Sequence, residues 1–119
     1  MEYSIYDNTP DAGIPMEDDS LTPLHPGQSV KSCIDNQGIS QKTLAKLISM
    51  SPSTLSEVLS GKRPVTTEYA MLFEAALNVN ADELLNMQVV YNKFMAHANP
   101  RFRAKVNRVR TLSPYTNQD

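Results

Sequence analysis

QKTLAKLISMSPSTLSEVLSG, residues 41–61, decides the fold. It reads as two short helices joined by a tight turn. Leu44, Ala45, Leu47 and Ile48 give the first helix an apolar face, and Ser40 stands before it as N-cap. Ser49 and Met50 form the turn. Ser51 caps the second helix, Pro52 sits at its first position, and Leu55, Val58 and Leu59 face inward before Gly61 closes it. Two helices crossing at a steep angle need a small residue where they touch, and Ala45 fills that place. The first turn position favours glycine, because φ is positive there. This chain has Ser49 instead.

Outward from that stretch, the pattern predicts three more helices. Pro26 opens the first, Val30, Cys33 and Ile34 form its buried stripe, and Gly38 ends it. Thr66 caps a fourth helix over about 67–77, apolar on more than one side and so expected to be buried on two faces. Asn78 or Asn80 breaks the chain. A fifth helix follows over about 81–97, with Leu84, Leu85, Met87, Val90, Tyr91, Phe94 and Met95 as its apolar set, and Asn99-Pro100 ends it. Residues 101–110 fit a helical stripe through Phe102, Val106 and Val109, and the alternation from Arg101 to Val106 fits a strand equally well. The expected class is therefore all-α: five helices over residues 25–97, an acidic arm over 1–24 and a basic extension over 98–119.

Charge follows the same division. Residues 1–24 hold six acidic groups and no basic one, residues 25–97 hold six of each, and residues 98–119 hold five basic groups and Asp119. The net charge of −2 hides this polarity. Local fields govern contact with phosphates, so a neutral core with a basic end remains compatible with nucleic acid. The arm contains Pro10, Gly13, Pro15 and Pro23, the composition of a solvated tail, with Tyr3, Ile5 and Tyr6 as apolar anchors for a partner. Cys33 is the single cysteine, which fits a reducing cytoplasm. The start of the chain has no signal-peptide core and no apolar run is long enough to span a membrane, so the cytoplasm is the expected compartment.

The two central helices have the form of a helix-turn-helix, whose second helix enters the DNA major groove. The outward side of that helix offers Ser51, Ser53, Thr54, Ser56 and Glu57. Short hydroxyls touch base edges or phosphates, and a glutamate accepts from a cytosine amine. Hydroxyls beside a helix start also serve simply as caps. Gln41 opens the first helix of the pair, where its amide and the free backbone N–H groups suit a phosphate. Lys62 and Arg63 follow the second helix and suit the backbone beyond it. His25 and His97 have no ligand partners at metal spacing, Gly totals only four with no phosphate loop, and no nucleophile–base arrangement stands out, so no metal, cofactor or catalytic residue is expected. Surplus apolar surface on the fourth and fifth helices suits either a well-filled core or a homodimer, which would set two reading helices ~34 Å apart on a palindromic operator.

His25-Pro26-Gly27, Gly38-Ile39-Ser40-Gln41, Leu44-Ala45, the run from Ser51 to Leu59, and Gly61-Lys62-Arg63-Pro64-Val65-Thr66 together resemble the HigA antitoxins of the lambda-repressor-like, Xre-type helix-turn-helix group. Glu74-Ala75-Ala76-Leu77, Leu84 to Gln88 and Tyr91 resemble that family's ending, so the match covers about residues 25–95. The resemblance implies a homodimeric repressor that binds its own operator and neutralises a RelE-like ribonuclease toxin. It places the DNA role on Gln41, Ser51, Ser53, Thr54, Ser56 and Lys62. Ser49 departs from the family's turn glycine, and Leu84 stands where a tryptophan is customary. The acidic arm has the charge to cover a basic toxin surface. Two other readings stay open on the sequence: an Xre-type regulator without a toxin, and an interaction adaptor that has lost DNA binding, which the Arg-poor reading helix would suit.

Overall fold

The computed structural model describes residues 22–115. Six helices follow one another: α1 (Pro26–Gln37), α2 (Gln41–Leu47), α3 (Pro52–Leu59), α4 (Thr67–Leu77), α5 (Ala81–Ala98) and α6 (Pro100–Leu112). There is no strand among the described residues. The class is all-α as expected, with six helices in place of five. The open segment after Asn99 is helical, because Asn99 Oδ1 accepts from the N–H groups of Arg101 and Phe102 and Pro100 occupies the first helical position. The arm's anchors Tyr3, Ile5 and Tyr6 lie outside the described residues.

Capping fixes the boundaries. Ser40, Ser51, Thr66 and Asn80 each accept a backbone N–H three residues on. The cap of α1 is His25, whose Nδ1 accepts from Gly27 N–H at 2.9 Å while Gln28 Oε1 accepts from His25 N–H. Gly38 and Asn78 end α1 and α4 in the left-handed conformation.

The core forms where these helices converge. Val30 and Ile34 of α1, Leu44 and Ala45 of α2, Leu55 and Val58 of α3, Val65 of the connection after it, Ala70 and Phe73 of α4, and Leu84 of α5 are all buried. Burying each of the larger side chains stabilises the fold by roughly 1.5–3 kcal/mol before ordering costs, and each alanine by less. Several expected contributors are placed differently. Leu47 is 65% exposed, because α2 is only two turns long and turns Leu44, Ala45 and Ile48 inward. Cys33 is half-buried at the core's edge. Helix α4 is buried on one face only: Ala70, Phe73 and Leu77 point in, while Met71 and Leu72 are exposed. On α5, Leu84 is buried and Leu85, Met87, Tyr91 and Phe94 are half-buried, but Val90 and Met95 remain exposed.

A polar brace ties α1, α3 and α5 together. The His25 ring meets Tyr91 of α5 edge-on, with ring centres 4.9 Å apart and planes at 82°. Gly61, at the end of α3, lies against the same imidazole, and a Cβ there would sit 3.5 Å from its Cγ. Gln88, buried on α5, accepts from Val65 N–H at 2.7 Å and donates to Asn92. Gly27 brings α1 so near α3 that a Cβ on it would fall 1.9 Å from the Val58 carbonyl oxygen.

Candidate nucleic-acid interface

Helix α3 is propped from behind and open in front. Leu55, Val58 and Leu59 are buried. Ser53, Ser56, Glu57 and Ser60 fall at i, i+3, i+4 and i+7 and so share the opposite face, with the three serines exposed and Glu57 half-buried. The turn before α3 sets its direction. Ser49 adopts φ +58°, the left-handed value the turn requires, and Met50 N–H returns to the Ala45 carbonyl at 2.9 Å. A serine thus does what glycine does after α1 and α3. Ala45, fully buried, lets α2 and α3 meet closely.

The eight residues read from the sequence as an interface divide into three groups and a single residue, Gln41. Ser53 and Ser56 point outward from α3, and Lys62 is exposed just beyond it. Ser51 and Thr54 are engaged with each other: Ser51 Oγ accepts from Thr54 N–H at 3.1 Å and donates to Thr54 Oγ1 at 2.8 Å, so capping occupies the Ser51 hydroxyl, which also lies 3.4 Å from Ser53 Oγ. Glu57 and Arg63 form an ion pair, Nε to Oε1 at 2.5 Å. That bond and the carboxylate's field raise the Arg63 pKa above its already high ordinary value, so the guanidinium stays charged. The pair ties Arg63, beyond the end of α3, to the Glu57 carboxylate on its face. Gln41, half-buried, begins α2 directly after its Ser40 cap.

Three further residues join this surface. Lys42 and Lys46, one turn apart on α2, are exposed, and Ser60 extends the α3 face. The i, i+4 spacing of two lysines next to an apolar stripe was visible in the sequence. Between residues 40 and 66 four basic residues face one acidic residue, so the field here is positive within a chain of net charge −2. Among the described residues, no group of His, Cys, Asp and Glu is placed to hold a metal ion. No helix among them is long and apolar enough to cross a membrane.

A helix-turn-helix domain is what this geometry defines. The helix-turn-helix family model matches residues 30–84. Virulence-associated protein I of Dichelobacter nodosus is 30% identical over 84 residues, spanning 70% of this chain and 78% of that protein. The chain belongs to the Xre-type helix-turn-helix family. Its fold is that of HigA-type antitoxins. An addiction module antidote protein of a HigA family from Coxiella burnetii superposes with a TM-score of 0.62 at 22% identity, covering 80% of this chain and all of that one. The Pseudomonas aeruginosa antitoxin HigA, solved with the higBA promoter, gives 0.65 at 21% identity over 79% and 99% of the two chains.

Proposed function

We propose that this protein is a sequence-specific DNA-binding antitoxin that represses its own promoter and neutralises a RelE-like ribonuclease. The observation that carries the DNA role is the outward face of α3, Ser53 and Ser56 above a buried Leu55–Val58 support, flanked by Lys42, Lys46 and Lys62. Helix α3 lies in the major groove with its first turns toward base edges, and the lysines and Gln41 hold phosphates on either side. The same fold in an antitoxin solved with promoter DNA supports this reading. Two copies associate through α4 and α5, whose Met71, Leu72, Val89 and Val90 are exposed, and present two reading helices to a palindrome.

Gel shifts with the DNA upstream of its own gene, across a salt series, test the reading. Ser53→Ala and Ser56→Ala are each expected to lose ~1–3 kcal/mol of discrimination between operator and unrelated DNA. Lys62→Ala is expected to weaken all sequences alike and to lower the salt slope by about one. Unchanged discrimination in the Ser53/Ser56 double variant rejects the α3 assignment. For the toxin role, co-expression with a small basic RelE-like protein encoded beside the gene is expected to yield a stable complex and to relieve growth arrest. Arrest that persists leaves the stand-alone regulator.

A further inference from the structure

Helices α5 and α6 pack against each other and leave an open groove of about 430 Å³ along their contact. Its floor is apolar: Phe94 of α5 with Phe102 and Val106 of α6. Its rim is cationic, with Lys93 on α5 and Arg103 and Arg110 on α6, and none of the described residues lining it is a carboxylate. Residues 100–112 contain five basic side chains and no acidic one. Phe102 keeps 46% of its surface exposed. Arg103 is held in place by donating to the His97 carbonyl at 2.8 Å.

We propose that this groove seats the acidic N-terminal segment of the same chain, residues 2–19. Three observations choose that occupant. Residues 1–24 hold six acidic groups and no Lys or Arg, a denser run of acid than the four in residues 64–92, with Glu17, Asp18 and Asp19 in a row nearest the folded domain. The described chain begins on α5, about two turns before the groove: Pro23 and Leu24 lie against Asn86, Met87 and Val90. Val90, Phe94 and His97 share one face of that helix at i, i+4 and i+7, so the root of the segment and the groove lie along the same side of α5.

The distances allow it. From Val90 to His97 the helix advances ~10 Å, and the five residues from Thr22 back to Glu17 reach ~16 Å when extended. The aspartates then meet the cationic rim, and Tyr3, Ile5 and Tyr6 are within chain reach of the apolar floor. A duplex backbone, its bases stacked inside, would satisfy the rim and leave the phenyl floor uncovered, whereas a polypeptide with acids and tyrosines satisfies both. The seated segment neutralises α6, which has no acidic side chain of its own, and a basic partner protein would have to draw the segment away. The inference stands without the DNA or toxin role.

Zero-length carbodiimide coupling of the full-length protein, read by mass spectrometry, tests it. The expected result is Lys93 joined to Glu17, Asp18 or Asp19 about fivefold more than Lys42, Lys46 or Lys62 are, with a yield independent of protein concentration. About 0.5 M salt is expected to cut that yield severalfold. Arg110→Glu, on the groove rim, is expected to reduce it about threefold, and Arg101→Glu, on the opposite flank of α6, to leave it unchanged. Even coupling to all four lysines, or equal losses from the two variants, overturns the groove as the seat. Coupled peptides that pair heavy with light chains in an isotope-mixed sample overturn the same-chain occupant.

Discussion

Ser49 carries a backbone conformation that serine adopts at a cost. At φ +58° it lacks the freedom a glycine has, and neither Met50 nor Ala45 can shift to relieve it without altering the angle between α2 and α3. Ser49→Gly removes the strain but loosens the unfolded chain, so the expected gain is ~0.5–1 kcal/mol in urea unfolding. Equal or lower stability would mean that the serine relieves the strain locally. His25 is the second residue with a testable consequence. Burial lowers its pKa from the ordinary 6.5, and its Nδ1 must stay unprotonated to accept from Gly27 N–H. The unfolded chain therefore binds a proton that the folded chain refuses. Stability is complete above pH 6.5, falls as the pH drops below it, and levels off once the folded imidazole also titrates. Urea midpoints between pH 5 and 8 are expected to show this slope in the parent chain, and to lose it in His25→Asn, whose amide can still cap α1. At this scale much was legible. The hydroxyl caps, the proline starts and Gly38 have local chemistry that needs no tertiary information. The Glu57–Arg63 pair was not legible, because a six-residue separation joins two side chains only after Gly61 has reversed the chain.

At the scale of elements, the motifs that mark the family are mostly braces. His25, Gly27, Gly61, Gln88 and Tyr91 lie at the junction of α1, α3 and α5, away from the outward face of α3. Gly27 is the most demanding of them, since the atom nearest an added methyl is a backbone oxygen that cannot turn aside. Gly27→Ala is expected to cost at least ~3 kcal/mol, or to prevent folding, although alanine favours helices elsewhere. Chemical unfolding followed by circular dichroism checks it, and a neutral result would mean α1 can slide on α3. The α6 helix shows why some elements stay hidden in a sequence. Its Asn99-Pro100 pair is both a stop for α5 and a start for the next helix, and periodicity over thirteen residues rich in arginine cannot say which. The exposure of Leu47 and of one side of α4 was equally hidden, because apolar pattern reports what a helix is able to bury, and neighbours decide what it does bury.

At the scale of the whole molecule, two properties organise the chain: polarity of charge and an uncovered apolar side. Acid gathers before residue 25 and base after residue 98, with a balanced domain between. The apolar side comprises Met71 and Leu72 on α4 and Val89 and Val90 on α5, with Val89 54% exposed. If that side joins two copies, Val89→Glu is expected to weaken the dimer by at least about tenfold, since a buried unpaired carboxylate costs more than 1.4 kcal/mol. Sedimentation measures the change. Operator affinity should fall with it, while the helical content stays the same. A dimer indifferent to Val89→Glu would move the interface elsewhere. The balance of the central domain also explains why overall charge was a poor guide to the sequence: the positive field belongs to α2, α3 and the residues after them, and is cancelled in the total by groups far from it.

Asn99 ends α5 and begins α6, so the elbow between them is one residue long. Such a joint has no slack, and the heading of α6 is inherited from the core as the hand of a clock is from its spindle. Adding a single residue there would screw α6 by about 100° about its own axis, bringing guanidinium groups round to where Phe102 and Val106 now rest. Length at that elbow is consequently as much a part of the design as composition, and a drift of one codon would rewrite an entire flank of the protein while leaving every side chain on it the same.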